Sequence, residues 1–127
     1  MNLKKSGLLI KTDALNLPLI NHYAITLFVD NKLYVLENTP IHNSRIILFS
    51  EFIKGRTIEY VKPTFLCNKS NKYIIDKFYS CKKPYDLLNY NCEHFIDCML
   101  SNNHNSEQVV NFVAICCAAF GIYNLKF

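Results

Sequence analysis

Two residues of this chain, Cys92 and His22, are of types that can carry out acyl transfer. Cys92 follows Asn91, a residue preferred immediately before a helix, so the cysteine is predicted to lie in a first helical turn. The N–H groups and dipole of a helix start favour an anion, which lowers a thiol pKa from about 8.5 towards the ~3.5–7.5 range of reactive cysteines. A thiolate there is a nucleophile, and its own main-chain N–H can face the oxygen that becomes negative during acyl transfer.

His22 is the candidate general base for this thiol. Imidazole titrates near neutral pH and can accept a thiol proton, and the two residues need to meet only in space. Two other histidines, His42 and His104, lie in polar, loop-like stretches and are expected to face solvent. His94 comes two residues after Cys92, so on a helix it is expected to point away from the thiol.

A carboxylate, Glu37, is expected beside His22. Asp30 and Asn31 form a turn signal, which predicts a hairpin. If the turn centres between them, Glu37 lies diagonal to His22 on the same face of the sheet. There it would fix the imidazole tautomer and stabilise the imidazolium. A turn shifted by one residue would instead favour Asn38 as the orienting residue, and a solvated charge at the strand end is the alternative interpretation of Glu37.

The first half of the chain predicts strands and the second half predicts helices. The strand candidates are Gly7–Ile10, His22–Val29, Leu33–Glu37, Arg45–Phe49 and Thr57–Val61. Helices are predicted over Lys72–Cys81, with Ser70 or Asn71 as its cap, and over Cys92–Leu100. The expected class is α+β, a small antiparallel sheet packed against helices.

The composition is that of one folded domain. Of 127 residues, 50% are hydrophobic and 19% are charged, with a net charge of +4. The lysines are scattered, and a nucleic-acid-binding protein would need a basic stripe or a known motif. No nucleic-acid partner is therefore expected. The positive net charge predicts a weak attraction to anionic membranes.

Six cysteines raise the question of disulfides and metal sites. The start of the sequence lacks the pattern of a signal peptide, so a reducing, cytoplasmic compartment is expected, and disulfides are not. Cys98, Cys116 and Cys117 lie in apolar helical surroundings and are interpreted as small buried hydrophobic residues. Since no C-x-x-C pair occurs, no metal site is expected.

The C-terminal segment is apolar, and the chain is divided into a catalytic domain, 1–105, and a hydrophobic helix or tail, 106–127. From Phe112 to Tyr123, 12 residues run without a charged side chain, whereas a membrane span needs roughly 20. A core helix and a tail that dips into one leaflet of a bilayer both remain open, with a full transmembrane helix third.

Several motifs, taken in order, resemble those of the lecithin:retinol acyltransferase family, which includes the H-Ras-like suppressor phospholipase/acyltransferases. The matching stretches are NCEHF at 91–95, YDLLNY at 85–90, SEQV at 106–109 and HYAI at 22–25, followed by Tyr34, Val35 and Pro40. The resemblance extends over about residues 22–123, and NCEHF is its most specific part.

The resemblance implies a circularly permuted NlpC/papain-like fold in which Cys92 is the nucleophile, His22 the base and Tyr23 an aromatic neighbour of the base. Glu37 stands where the phospholipase members place a second histidine. In the family, the thiolate attacks an acyl ester of a glycerophospholipid and forms an acyl-cysteine, without a metal or organic cofactor. A phospholipid substrate and a cytoplasmic, membrane-associated location through the C-terminal segment are therefore expected.

Two other functions remain open on the same residues. The first is a thiol peptidase or amidase, including a deubiquitinase-like enzyme, whose catalytic residues would be the same. The second is a non-catalytic binding or membrane-associated module that retains the fold. The substrate distinguishes the first alternative, and the reactivity of the Cys92 thiol distinguishes the second.

Overall fold

The computed structural model describes residues 2–14 and 17–101, and the fold is given for these. The elements of this part are β1 (Leu8–Ala14), β2 (Leu17–Val29), β3 (Lys32–Thr39), β4 (Asn43–Leu48), α1 (Phe49–Phe52), β5 (Ile58–Pro63), α2 (Asn71–Cys81) and α3 (Cys92–Leu100). A short 3-10 turn, Phe65–Asn68, precedes α2. The described part is α+β, as the sequence predicts.

The strands form one antiparallel sheet in the order β4-β3-β2-β1-β5. Asp30 and Asn31 join β2 to β3, and both have a positive φ, 52° and 62°. This is the backbone of a two-residue hairpin turn, and short polar side chains tolerate it well. Val29 pairs with Lys32 across the turn, which confirms the predicted register of the hairpin.

The main core lies between one face of the sheet and the helices α2 and α3. Ser70 caps α2 by accepting a hydrogen bond from the N–H of Tyr73 at 3.0 Å, as predicted. The helices bury apolar residues at helical spacing against the strands. This core comprises strand residues (Leu9, Ile25, Leu27 and Leu36), Leu66 of the 3-10 turn, and helix residues (Ile74, Phe78, Cys81, Phe95, Ile96 and Met99).

A smaller cluster covers the opposite face of the sheet. Ala24 of β2 and Val35 of β3 pack there against Phe52 of the short helix α1. Side chains two apart on a strand share a face, so His22 lies on the same face as Ala24, and Glu37 lies on the same face as Val35. The face beneath α1 is therefore the one that carries the candidate base.

All five predicted strands are present with different bounds, and β2 begins at Leu17, earlier than the predicted His22. Phe49, expected to end a strand, instead begins α1, because that helix turns Phe52 onto the sheet, where it is 2% exposed. The first strand continues beyond Ile10 to Ala14. It lies between β2 and β5, and pairing on both sides extends it through the polar residues that follow Ile10.

The sequence predicts no disulfide and a small buried hydrophobic role for Cys98, and both expectations are wrong. Cys98 forms a disulfide with Cys81, with the two Cα atoms 5.9 Å apart. The reason is tertiary, because α2 and α3 pack side by side and bring the end of one next to the second half of the other.

The expectations for the C-terminal part lie outside the described residues. They concern Cys116, Cys117, the division at 105/106 and the hydrophobic tail 106–127. Within residues 2–14 and 17–101, no helix is long and apolar enough to cross a membrane.

Candidate active site

Cys92 is the first residue of α3, and a capped helix start fixes its position. The side-chain oxygen of Asn91 accepts hydrogen bonds from the N–H groups of Glu93 and His94, at 3.0 and 3.2 Å. In return, Nδ1 of His94 accepts a hydrogen bond from the N–H of Asn91 at 3.1 Å. This reciprocal arrangement is a capping box, and it confirms the predicted cap. The thiol is therefore held at the positive end of the α3 dipole.

The Cys92 thiol lies against the strand that carries the candidate base. Its residue is 8% exposed, and Sγ is directed at the main-chain oxygen of Asn21, 3.9 Å away. Asn21 directly precedes His22 in β2. The fold thus joins the start of α3 to the segment of β2 that holds the imidazole, although 69 positions separate Asn91 and His22 in sequence.

His22 and Glu37 form a direct, buried pair. Nε2 of His22 lies 2.7 Å from Oε1 of Glu37, and their side chains are 7% and 0% exposed. The contact predicted from the hairpin register is therefore present. Because Nε2 faces the carboxylate, Nδ1 is the other ring nitrogen of His22 that can accept a proton.

Glu37 has a second partner that the sequence analysis missed. Its Oε2 accepts a hydrogen bond from Nε of Arg45 at 2.7 Å. Burial by itself raises the pKa of Glu37, but the hydrogen bonds and charges of His22 and Arg45 outweigh it and lower the pKa below its ordinary value. Arg45 faces Glu37 across β3 and β4, so the register of the second hairpin was the signal that would have found it.

Asn38, the alternative orienting residue, points elsewhere. Its side-chain amide donates to Oγ of Ser44 at 2.8 Å and to the main-chain oxygen of Lys83 at 3.0 Å. Successive residues of a strand face opposite sides, so Asn38 lies on the face away from Glu37. It ties the β3–β4 hairpin to the segment after α2, and Glu37 is the partner of His22.

A second arginine, Arg56, lies at the same site. Its guanidinium carbon is 5.0 Å from the ring centroid of Phe52, and that ring is 6.0 Å from the imidazole of His22. Burial lowers the pKa of Arg56, while the charges of Glu37 and Cys92 are among those that oppose this shift. No local sequence pattern marks Arg56, because its position depends on how the chain after α1 folds back over the sheet.

Glu93 and His94, the neighbours of Cys92, support the helix start. Burial raises the pKa of Glu93, and hydrogen bonds from its own N–H and from Cys92 partly oppose the rise. Burial also lowers the pKa of His94, partly offset by Asp86. His94 therefore favours the neutral form, which is the form that can accept the hydrogen bond from Asn91.

Of the two remaining histidines, only His42 lies in the described part of the chain. His42 is exposed in the turn between β3 and β4, as expected, and His104 lies outside the described residues. In the part of the chain that the structure describes, no group of three or more His, Cys, Asp or Glu side chains could hold a metal ion.

The arrangement combines the parts that thiol acyl transfer requires. Cys92 supplies a sulfur at a helix start, His22 supplies a ring nitrogen, and Glu37 is an ionised group that holds the ring. Two guanidinium groups, of Arg45 and Arg56, add positive charge around the carboxylate. Such a set can deprotonate a thiol and stabilise the resulting ion pair.

Comparisons of this chain with protein-family models, with curated proteins and with solved structures gave no match.

Proposed function

We propose that this protein is a thiol-dependent phospholipase A or acyltransferase that acts on acyl esters of glycerophospholipids through an acyl-cysteine. The observation that carries the proposal is the buried His22–Glu37 pair on β2 and β3, with the thiol of Cys92 docked at the residue before His22. The choice of a lipid substrate rests on the motif resemblance to the lecithin:retinol acyltransferase family. The same resemblance is the basis for proposing that the α+β fold is a permuted NlpC/papain-like fold.

In the proposed mechanism, Nδ1 of His22 accepts the proton of the Cys92 thiol. The thiolate attacks the ester carbonyl carbon, and N–H groups at the start of α3, including that of Cys92, stabilise the oxygen that becomes negative. The ester C–O bond then breaks, and the imidazolium returns the proton to the leaving lysophospholipid oxygen. In the second half, water or an amine attacks the acyl-cysteine while His22 accepts its proton; the C–S bond breaks, the fatty acid or amide leaves, and the proton returns to the sulfur of Cys92.

Glu37 acts in this scheme by holding the imidazole, without contact with the substrate. Its contact with Nε2 fixes the tautomer, and its negative charge stabilises the imidazolium that forms when the thiol is deprotonated. Arg45 keeps the carboxylate ionised and directed at His22.

The proposal is tested by intact-protein mass spectrometry after incubation with a short-chain phosphatidylcholine. The wild type is expected to gain the mass of one acyl group and to release fatty acid, while Cys92→Ala gains nothing and His22→Ala loses turnover with its fold intact. A folded wild type with a rapidly alkylated Cys92 but no adduct and no fatty acid would refute the lipid substrate in favour of a peptidase. Slow alkylation as well would refute catalysis.

A cytoplasmic, membrane-associated location, with 106–127 as the membrane-contacting segment, is part of the same proposal. Removing that segment is expected to weaken binding to phospholipid vesicles in a flotation assay. Retained binding would exclude the segment as the membrane contact. The Cys81–Cys98 disulfide bears on the compartment, because lasting disulfides are rare in reducing surroundings. Blocking thiols at cell lysis and mapping this pair tests the cytoplasmic assignment directly.

A further inference from the structure

Arg56 is placed at the candidate active site by two contacts that the catalytic scheme does not use. Its Nη1 donates a hydrogen bond to the main-chain oxygen of Asp13 at 2.9 Å. Its guanidinium also stacks 5.0 Å from the centroid of Phe52, whose ring neighbours the imidazole of His22 at 6.0 Å. The side chain is therefore held from two sides, by β1 and by α1.

The strand register places this guanidinium and the thiol at the same end of the sheet. Asp13 of β1 and Asn21 of β2 are direct partners in the ladder. The main-chain oxygen of Asp13 accepts the hydrogen bond from Arg56, and that of Asn21 faces Sγ of Cys92. The guanidinium of Arg56 and the thiol of Cys92 thus contact the main-chain oxygens of two residues that are paired across β1 and β2, and the charge of Cys92 acts on Arg56.

The charge of Arg56 is not neutralised by a carboxylate in direct contact. The charges of Glu37 and Asp13 act on Arg56 from farther away: Glu37 has its two oxygens on His22 and Arg45, and Oδ1 of Asp13 accepts a hydrogen bond from the N–H of Thr57. Among residues 2–14 and 17–101, no carboxylate lies within ion-pair distance of Arg56. A partly buried guanidinium without such a partner is stabilised when an anion binds, and its flat set of N–H donors matches phosphate and carboxylate oxygens.

We propose that Arg56 binds an anionic group of the substrate beside the Cys92 thiol. For the substrate class named above, and resting on that proposed function, the group is the phosphate of the glycerophospholipid. Only a few bonds separate that phosphate from either acyl ester, so one site can hold the phosphate and present an ester carbonyl to the sulfur. The arginine then selects phosphate-bearing esters over neutral glycerides.

The first experiment compares two alkylating reagents and does not depend on turnover. Iodoacetate carries a carboxylate and iodoacetamide does not, and in both the thiolate forms a C–S bond while iodide leaves. In Arg56→Gln, the ratio of the Cys92 rates, iodoacetate over iodoacetamide, is expected to fall about tenfold from the wild-type ratio, as for loss of a charge-assisted hydrogen bond. Arg56→Lys should retain part of the ratio.

Lys54→Gln is the matched control, since it removes a neighbouring cation whose partner is the exposed Glu51. Its ratio should equal that of the wild type. An unchanged ratio in Arg56→Gln would overturn the proposal. If Arg56→Gln does not fold, the anion site is tested on the wild type by adding inorganic phosphate as a competing anion. Phosphate is expected to slow alkylation by iodoacetate more than chloride of equal ionic strength does, and equal slowing by both salts refutes an anion site.

A second experiment separates this inference from the proposed function. Short-chain phosphatidylcholine and the matching diacylglycerol share their acyl esters and differ in the phosphate-bearing head group. Arg56→Gln is expected to raise KM about tenfold for the phospholipid and to leave KM for the diacylglycerol unchanged. If the wild type cleaves neither lipid but still shows the reagent preference, the proposed function fails and the anion site stands. Equal KM changes for both lipids would overturn the role of Arg56 in binding the phosphate.

Discussion

Replacing Glu37 by glutamine removes the negative charge beside His22 with almost no change in shape. The wild-type carboxylate has no exposed surface and lies 2.7 Å from both Nε2 of His22 and Nε of Arg45. Although burial raises the pKa of Glu37, its two partners lower it further than burial raises it, so the group is ionised at neutral pH. Glu37→Gln therefore tests whether this charge stabilises the imidazolium that forms when Cys92 loses its proton.

The size of the effect follows from the contact that is weakened. A hydrogen bond to a charged group contributes about 1.5–3 kcal/mol, and each 1.4 kcal/mol corresponds to a factor of about ten. Since the imidazolium forms only when the thiol is deprotonated, the lost interaction energy destabilises the reactive thiolate–imidazolium state and not the resting state. The rate of Cys92 alkylation at neutral pH and the rate of ester turnover are both expected to fall about 10- to 100-fold.

The assay is the rate of Cys92 alkylation by iodoacetamide from pH 4 to 10, followed by intact-protein mass spectrometry. In the wild type, the rate is expected to rise with the fraction of Cys92 that is thiolate, because the thiolate is the form that attacks the reagent. In Glu37→Gln the rise should move to higher pH. Glu59→Gln is the control, because Glu59 is an exposed carboxylate paired with Lys11 on the same sheet. A Glu37→Gln profile that coincides with the wild type refutes the role of Glu37.

Stability against pH gives an independent check on the same residue. A carboxyl whose pKa is lowered by folding contributes stability above its unfolded pKa, here the ordinary value of 4.5, and loses it as pH falls through the folded pKa. The wild type is expected to lose melting temperature as the pH falls below 4.5, and Glu37→Gln should show a flatter acid limb. A parallel acid limb in both proteins would mean that Glu37 is not the ionised partner that the geometry indicates.

The other predictions concern α3 and its attachment. Asn91→Ala removes the cap and is expected to cost about 1 kcal/mol of stability and to slow Cys92 alkylation; an unchanged melting temperature would contradict this. Burial raises the pKa of Asp97, and its Oδ2 has no hydrogen-bond partner among the described residues. Asp97→Asn should therefore raise the melting temperature at pH 7, and this gain should vanish below pH 3.8, where both folded and unfolded states of the wild type are protonated. The Cys81–Cys98 disulfide closes a loop of 17 residues, so Cys98→Ala is expected to lower stability by about 3 kcal/mol in non-reducing buffer. Recovery of both thiols in a non-reducing peptide map would show that the bond is absent.

The sequence by itself determined the elements whose signals are local. Asp30 and Asn31 tolerate the positive φ of a tight hairpin, and this alone set the register that brings Glu37 to His22. Asn91 marked the start of α3 because a side-chain oxygen before a helix satisfies the first N–H groups. Local chemistry therefore predicted the thiol at a helix start and the carboxylate–imidazole pair.

Tertiary structure decided everything that depends on distant segments meeting. Three contacts arise from packing over the two faces of the sheet. The Cys92 thiol contacts the main chain at Asn21, Cys81 bonds to Cys98, and Arg56 stacks on Phe52 beside the site. A cysteine in an apolar helix has the same local sequence whether it packs as a hydrophobic residue or meets a second cysteine. Likewise, an arginine after a short helix gives no sign of the surface it will cover, because its neighbours are chosen by the whole fold and not by adjacent residues.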